Sequence, residues 1–199
     1  HRIKPIGDQI AALETDPKLR SPGGYAFGPA NDISAWQRVE DLAVIHFHDI
    51  AKFGDDIFLA GSGGPTSIFN SIVYQSSNNG TDWTNSLDLP VPEEAKESNP
   101  NAFTRFFGIV ELNDKLYTQQ ILFNRGWTAH GMHVFDGTSW SEQDVPTTDD
   151  GTVTKFVDPE VLGDVAIVRD QHPGSRASPM FSFDGQSLTQ LSIDVDGSS

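Results

Sequence analysis

Two short turns recur along this chain in step, and that repetition limits what it can fold into. The first joins two apolar runs: Ile6-Gly7-Asp8-Gln9-Ile10, Phe53-Gly54-Asp55-Asp56-Ile57, Leu112-Asn113-Asp114-Lys115-Leu116 and Leu162-Gly163-Asp164-Val165-Ala166. The second follows in each segment, at Asn31-Asp32-Ile33-Ser34-Ala35-Trp36, Asn78-Asn79-Gly80-Thr81-Asp82-Trp83, Phe135-Asp136-Gly137-Thr138-Ser139-Trp140 and Phe183-Asp184-Gly185-Gln186-Ser187-Leu188. Gly-Asp and Asn-Asp are residue types that tolerate the positive φ of tight hairpin turns. The first anchor advances by 47, 59 and 50 residues and the second by 47, 57 and 48. Two independent anchors stepping together mark a duplicated unit: strand, tight turn, strand, long loop, strand, tight turn, strand.

A period near 50 residues with four strands per unit predicts an all-β propeller of about four four-stranded blades. A β-sandwich gives no reason for turns to recur in register. The expected blades are residues 1–43, 44–92, 103–147 and 152–195. Only six residues precede Gly7, so the first inner strand looks short, and the reading is of a segment of a larger propeller. Half a propeller would expose two apolar blade faces, which favours another chain or segment completing it.

The turn from Ser76 to Trp83 resembles the Asp-box of sialidase-type propellers, Ser-x-Asp-x-Gly-x-x-Trp, with Asn78 where that family has Asp. Asp136 to Trp140 is a shorter relative, and residues 46–62 are similar to repeats of bacterial propellers. The likeness covers nearly the whole chain at the level of architecture. Asp-boxes are structural and occur in enzymes, receptors and assembly factors alike, so the resemblance implies a fold and no activity.

Phe47, Phe106 and Phe156 share one position on the inner strands, and Ile6, Phe53, Leu112 and Leu162 share another. With polar neighbours in alternation, both sets are expected to bury one blade against the next. Trp36, Trp83 and Trp140 recur on the outer strand, where packing is favoured over sugar stacking.

Charge and composition exclude several functions. The net charge of -15 argues against nucleic acid and anionic membrane, which require an excess of Lys and Arg. With no cysteine there is no disulfide, thiol catalysis or thiolate metal site. No apolar run approaches the ~20 residues of a membrane span, and no signal peptide is legible at the start. No cofactor is expected. Acidity of this kind fits an extracellular or periplasmic setting.

The long second-to-third-strand loops (61–70, 124–131, 170–179) and the inter-blade loops (90–104, 146–154) share one face, leaving little room for a site among the tight turns opposite. That loop face holds Arg125, His130, His172 and Arg176, and His46, Arg105 and Lys155 stand immediately before the repeated phenylalanine. Seven such groups on an acidic protein suggest a ligand carrying carboxylate or sulfate, such as an acidic sugar. The bland alternative is a set of solvated strand starts balancing nearby Asp and Glu. His46 and His48 share a strand face, but a metal needs three or four convergent ligands, and Asp49 joins them only if the chain bulges. No metal site and no catalytic residue is assigned. The sialidase arginine triad and Tyr-Glu pair are not evident, and a lyase base would have to come from His130 or His133 beside Arg125. The expected function is a non-catalytic binding or structural scaffold engaging a glycan or protein through the loop face. The alternative is a glycosidase or lyase acting on acidic polysaccharide.

Overall fold

A computed structural model describes residues 2–13, 24–39, 42, 46–63, 66–170 and 179–192. Blade 1 consists of β1 (Arg2–Ile6), β2 (Gln9–Leu13), β3 (Tyr25–Pro29) and β4 (Gln37–Val39). Blade 2 follows with β5 (His46–Phe53), β6 (Asp56–Ser62), β7 (Ser71–Ser76) and β8 (Thr84–Leu89). A short helix, α1 (Glu93–Ser98), leads into blade 3: β9 (Phe103–Leu112), β10 (Lys115–Phe123), β11 (Trp127–Phe135) and β12 (Trp140–Gln143). Blade 4 comprises β13 (Val157–Leu162), β14 (Val165–Arg169), β15 (Met180–Phe183) and β16 (Leu188–Gln190). Each blade is one antiparallel sheet with its strands in chain order. The four sheets together form a β-propeller.

The turns explain why the units close where they do. Gly7, Gly54 and Gly163, with Asn113 and Asp114 in blade 3, adopt φ between 53° and 63° at the first anchor. At the second anchor an Asp or Asn side chain folds back on the turn. Asp136 Oδ1 accepts from the backbone N–H groups of Thr138 and Ser139, and Asp184 does the same with Gln186 and Ser187. Asn78 Oδ1 accepts from the Asp82 N–H, while Ser76 Oγ accepts from that of Gly80. Such side-chain-to-backbone bonds are what Asx residues offer a turn in place of a ladder.

Three of the seams between blades are packed. Tyr25 and Phe27 of blade 1 meet Phe47, Ile57 and Tyr74 of blade 2. Phe58 and Val73 of blade 2 meet Phe106, Leu116 and Phe135 of blade 3. Tyr117, Met132 and Val134 of blade 3 meet Phe156, Phe181 and Phe183 of blade 4. The repeated inner-strand phenylalanines, Phe47, Phe106 and Phe156, are all buried. Trp83 stands edge-on to Tyr25, and Trp140 edge-on to Phe58 while its Nε1 donates to Ser86 Oγ of β8. Each of these two tryptophans therefore packs on the preceding blade as well as on its own hairpin.

Leu162 departs from the expectation set for its position. It is 69% exposed, against 7% for Ile6 and 3% for Leu112. The reason is its place in the last blade: among the described residues no core cluster joins blade 4 to blade 1.

Immediately after each repeated phenylalanine the inner strand bulges. The ladder slips between Phe47 and Asp49 in β5, beyond Phe106 in β9 and between Val157 and Glu160 in β13. A bulge inserts an unpaired residue and re-aims side chains, and here it does so in three blades at one level. Gly108 lies in one of these bulges, where a Cβ would come 2.2 Å from Pro159 Cδ. Gly108→Ala is thus expected to push β13 away from β9 and cost about 1–3 kcal/mol by overpacking, read as a lower urea midpoint at unchanged slope. An unchanged midpoint would show that β13 yields freely.

Candidate functional site

Two clusters lie along the propeller axis, set by the bulges. The deeper one is ionic. Asp49 is completely buried, and its carboxylate accepts from Lys4 Nζ at 3.1 Å, from the Ile50 N–H at 2.8 Å and from the Ile109 N–H at 2.9 Å. Arg2 Nη1 lies 3.3 Å from the same carboxylate and 3.1 Å from Asp158 Oδ1, while Nη2 reaches Glu160 Oε1 at 2.6 Å and the Pro159 carbonyl. Burial pushes the Asp49 carboxyl up, with Lys4 and then Arg2 pulling the other way. Asp158, which also pairs with Arg169, holds a φ of 47°. Through this knot all four inner strands meet, and it fills the axis at that level. The bulge that would bring Asp49 toward the histidines does form, but its carboxylate goes to Lys4 and Arg2. Among the described residues no group of three His, Asp or Glu is placed to hold a metal.

The second cluster sits nearer the loop face and is aromatic. The Arg105 guanidinium carbon lies 4.8 Å from the ring centre of Phe103, 5.5 Å from that of Trp127 and 6.0 Å from that of Phe107. Phe103 stacks on Phe123 at 4.9 Å, and Trp127 stands edge-on to Phe103 and Phe107. All four rings are half-buried. His48 packs on Phe107 at 4.8 Å and lies 5.7 Å from His46. Burial, and then the Arg105 and His46 charges, hold the His48 imidazole well below its usual range, and its buried Nε2 has no hydrogen-bond partner.

Local structure fixes this mouth. Asn124 Nδ2 donates to Ser98 Oγ and Arg125 Nη2 to the Ser98 carbonyl, tying the β10–β11 turn to the end of α1. On the other side, the Thr104 N–H donates to the Phe69 carbonyl, and Asp88 accepts from Thr66 and Asn70, pinning the loop before β7. Ile68 and Phe69, 62% and 38% exposed, extend the apolar surface from there.

The expected loop-face residues separate accordingly. His46 and Arg105 belong to the mouth. Lys155 is paired with Asp170 at 2.6 Å. Arg125 holds α1. His130 is an exposed residue on β11, because the segment expected as a loop over 124–131 is only a three-residue turn before Trp127. His172 and Arg176 lie outside the described residues. His133, one of the bases considered, is buried against Phe106. Sequence reasoning missed Phe103, Phe107, Phe123 and Trp127; the available signal was two aromatic pairs with the same four-residue spacing, Phe103 with Phe107 and Phe123 with Trp127. The tight-turn face is also roomier than expected, with a pocket of about 220 Å³ bordered by Lys4, Lys52, Glu111 and Glu160. A cavity of about 620 Å³ lies between blades 4 and 1, with Arg2, Ile3, Ile167 and Met180 in its walls.

Four radial sheets around a plugged axis define a β-propeller with its open aromatic surface on the loop face. No protein-family model matches the chain, and no curated protein matches it. Among solved structures it superposes on the GH93 α-L-arabinofuranosidase of Fusarium graminearum in complex with arabinobiose, with a TM-score of 0.52 and 12% identity. It also superposes on a mutant of the same organism's α-L-arabinofuranosidase in complex with an iminosugar inhibitor, with a TM-score of 0.53 and 12% identity. In both cases 92% of this chain matches 62% of the other. At that identity the likeness shows the propeller fold alone.

Proposed function

We propose that this chain is a carbohydrate-binding propeller that takes its ligand at the loop-face mouth, with an acidic sugar preferred. The observation that carries the reading is the half-exposed ring cluster of Phe103, Phe107, Phe123 and Trp127 around Arg105. Aromatic faces pack against the apolar faces of sugar rings, and a guanidinium fixed over rings offers a fork suited to a carboxylate. His46 adds a second polar group at the rim. The solved neighbours bind arabinobiose and an iminosugar, which supports a carbohydrate ligand for this fold. The Ser76–Asn78–Gly80 hydrogen bonds support kinship with Asp-box repeats. An extracellular or periplasmic setting, where polysaccharide is met, fits the same reading.

Binding without catalysis is favoured by where the carboxylates go. Glycoside hydrolysis uses two carboxyl groups flanking the scissile bond. Asp49, Asp158 and Glu160, the carboxylates nearest the axis, are bound to Lys4, Arg2 or Arg169. Titration calorimetry with arabino-oligosaccharides and oligogalacturonides, alongside an assay for released reducing ends, tests the proposal. Trp127→Ala is expected to weaken binding by on the order of ten-fold. Arg105→Ala is expected to weaken uronate binding by roughly ten- to a hundred-fold, the worth of a charge-assisted hydrogen bond. Product release lost in Arg105→Ala would establish the enzyme reading instead. No binding of either sugar class would remove the proposal.

A further inference from the structure

The short loop leading into β7 is held by hydrogen bonds along its length, yet it presents two apolar side chains to solvent. The Gly63 N–H donates to the Asn70 carbonyl at 2.8 Å, and the Phe69 N–H donates to Ser67 Oγ at 3.1 Å. The buried Asn70 side chain donates to Asp88 Oδ1 at 2.6 Å and to Thr66 Oγ1, which itself donates to Asp88 Oδ2. With the frame fixed in this way, Ile68 and Phe69 remain open to water. Neighbouring apolar groups that are exposed and continue a larger apolar patch mark a binding surface. A rigid surface also loses little freedom when a ligand arrives.

The loop reaches the mouth at a defined place. The Phe69 carbonyl accepts from the Thr104 N–H at 2.8 Å, and Thr104 lies between Phe103 and Arg105 on β9. Such a bond sets the two backbones about 5 Å apart, the spacing of neighbouring strands. We infer that Phe69, with Ile68 beside it, forms a second sugar subsite continuous with the mouth, and that it takes a neutral sugar linked to the acidic one. The inference rests on the carbohydrate reading proposed above, in which the acidic ring belongs to Arg105. Residues 66–70 bring no cation of their own. The charge bound into their frame is the Asp88 carboxylate, whose partners are the neutral side chains of Thr66 and Asn70. A second carboxylate or sulfate would meet like charge there, whereas a neutral ring can lay its apolar face on Phe69. Linkage to the ring at Arg105 makes this second contact intramolecular, so even a weak stacking site raises affinity. The ligand class is therefore a mixed glycan, with an acidic unit next to a neutral one.

Titration of the chain with methyl glucuronoside, with an aldobiouronic acid (glucuronic acid linked to xylose) and with digalacturonic acid reads this subsite. The aldobiouronic acid is expected to bind about ten-fold tighter than the single uronate, and digalacturonic acid to gain less. Phe69→Ala is expected to remove most of that gain and Phe69→Trp to keep it, whereas Trp127→Ala weakens the single uronate and the aldobiouronic acid alike. The Phe69 loop is held through its backbone and through Asn70, so the urea midpoint of Phe69→Ala should stay with wild type, which separates a lost contact from a lost fold. If the single uronate binds and the aldobiouronic acid gains nothing over it, the second subsite is overturned while the mouth stands. A gain that survives Phe69→Ala overturns it equally. An equal gain with digalacturonic acid overturns the preference for a neutral ring. If none of the three sugars binds, the carbohydrate reading fails and this subsite fails with it.

Discussion

Asp49→Ala is expected to destabilise the propeller by about 3–5 kcal/mol, the usual result of removing one partner from a buried ion pair. For a chain of this size that corresponds to a melting temperature lower by roughly 10 °C. The magnitude follows from what remains behind. Lys4 is buried and Arg2 nearly so, and both would lose their fully buried partner. The Ile109 N–H, now satisfied by Asp49 across the seam between blades 2 and 3, would also go unpaired. Asp49→Asn separates the causes, because it keeps the shape and an acceptor while removing the charge. If charge dominates, Asn should be nearly as damaging as Ala. If the backbone bonds dominate, Asn should recover most of the loss. Replacing the pair together, as Lys4→Met with Asp49→Leu, should be milder than Asp49→Ala, since Lys4 is no longer left as a buried unpaired charge, while the Ile109 N–H still loses its acceptor. Urea unfolding measures all three. A single Asp49→Ala variant within 1 kcal/mol of wild type would show that water reaches Lys4 and Arg2.

The same residue shows where sequence reasoning stops. The tight turns were legible because Gly54, Gly163 and Asn113 are the residue types that positive φ selects, and their spacing carried four blades. The inner-strand phenylalanines were legible by register. The bulge after each of them was not. A strict two-residue alternation sets Asp49 opposite His48, and only the inserted residue aims its carboxylate at β1 and β9. Its partners lie 45 and 60 residues away, and Arg2 meets Asp158 across 156. No local pattern encodes such distances. The mouth was half legible: His46 and Arg105 were found from their repeated position. The rings around Arg105 come from the first half of β9, the last residue of β10 and the first of β11, brought together by the short turn at Arg125. Leu162 followed the repeat in sequence but not in burial, because burial depends on a neighbouring blade and not on the residue.

Acidification below pH 6.5 is expected to weaken the fold well before the carboxylates titrate, because two histidines are buried with unpartnered Nε2 atoms. Burial holds His48 well below its usual range, with Arg105 and His46 adding to the effect. Burial also lowers His133, with His130 adding to it, although Glu142 on the neighbouring strand pulls it back up. The sign follows from proton counting. Between the folded value and about 6.5 the unfolded chain binds the protons that the native chain refuses, so stability falls as pH falls. The contribution is complete above about 6.5 and is lost on the way down, at no more than about 1.4 kcal/mol per pH unit for each group. From pH 6.5 to 5 that amounts to about 2 kcal/mol per histidine at most. The turn carboxylates do not interfere. Hydrogen bonds from Ser187 and Gln186 lower Asp184, and those from Ser139 and Thr138 lower Asp136, so their contributions are lost only below about pH 4. Asp49, raised by burial, opposes the trend, and a variant isolates the histidine part. His48→Phe is the natural choice, because Phe107 occupies the same place in blade 3. It should roughly halve the slope of unfolding free energy between pH 7 and 5, leave stability at pH 7.5 close to wild type, and leave His133 as the remaining sensor. A flat wild-type profile across that range would mean that both imidazoles reach water or a proton acceptor in the native state.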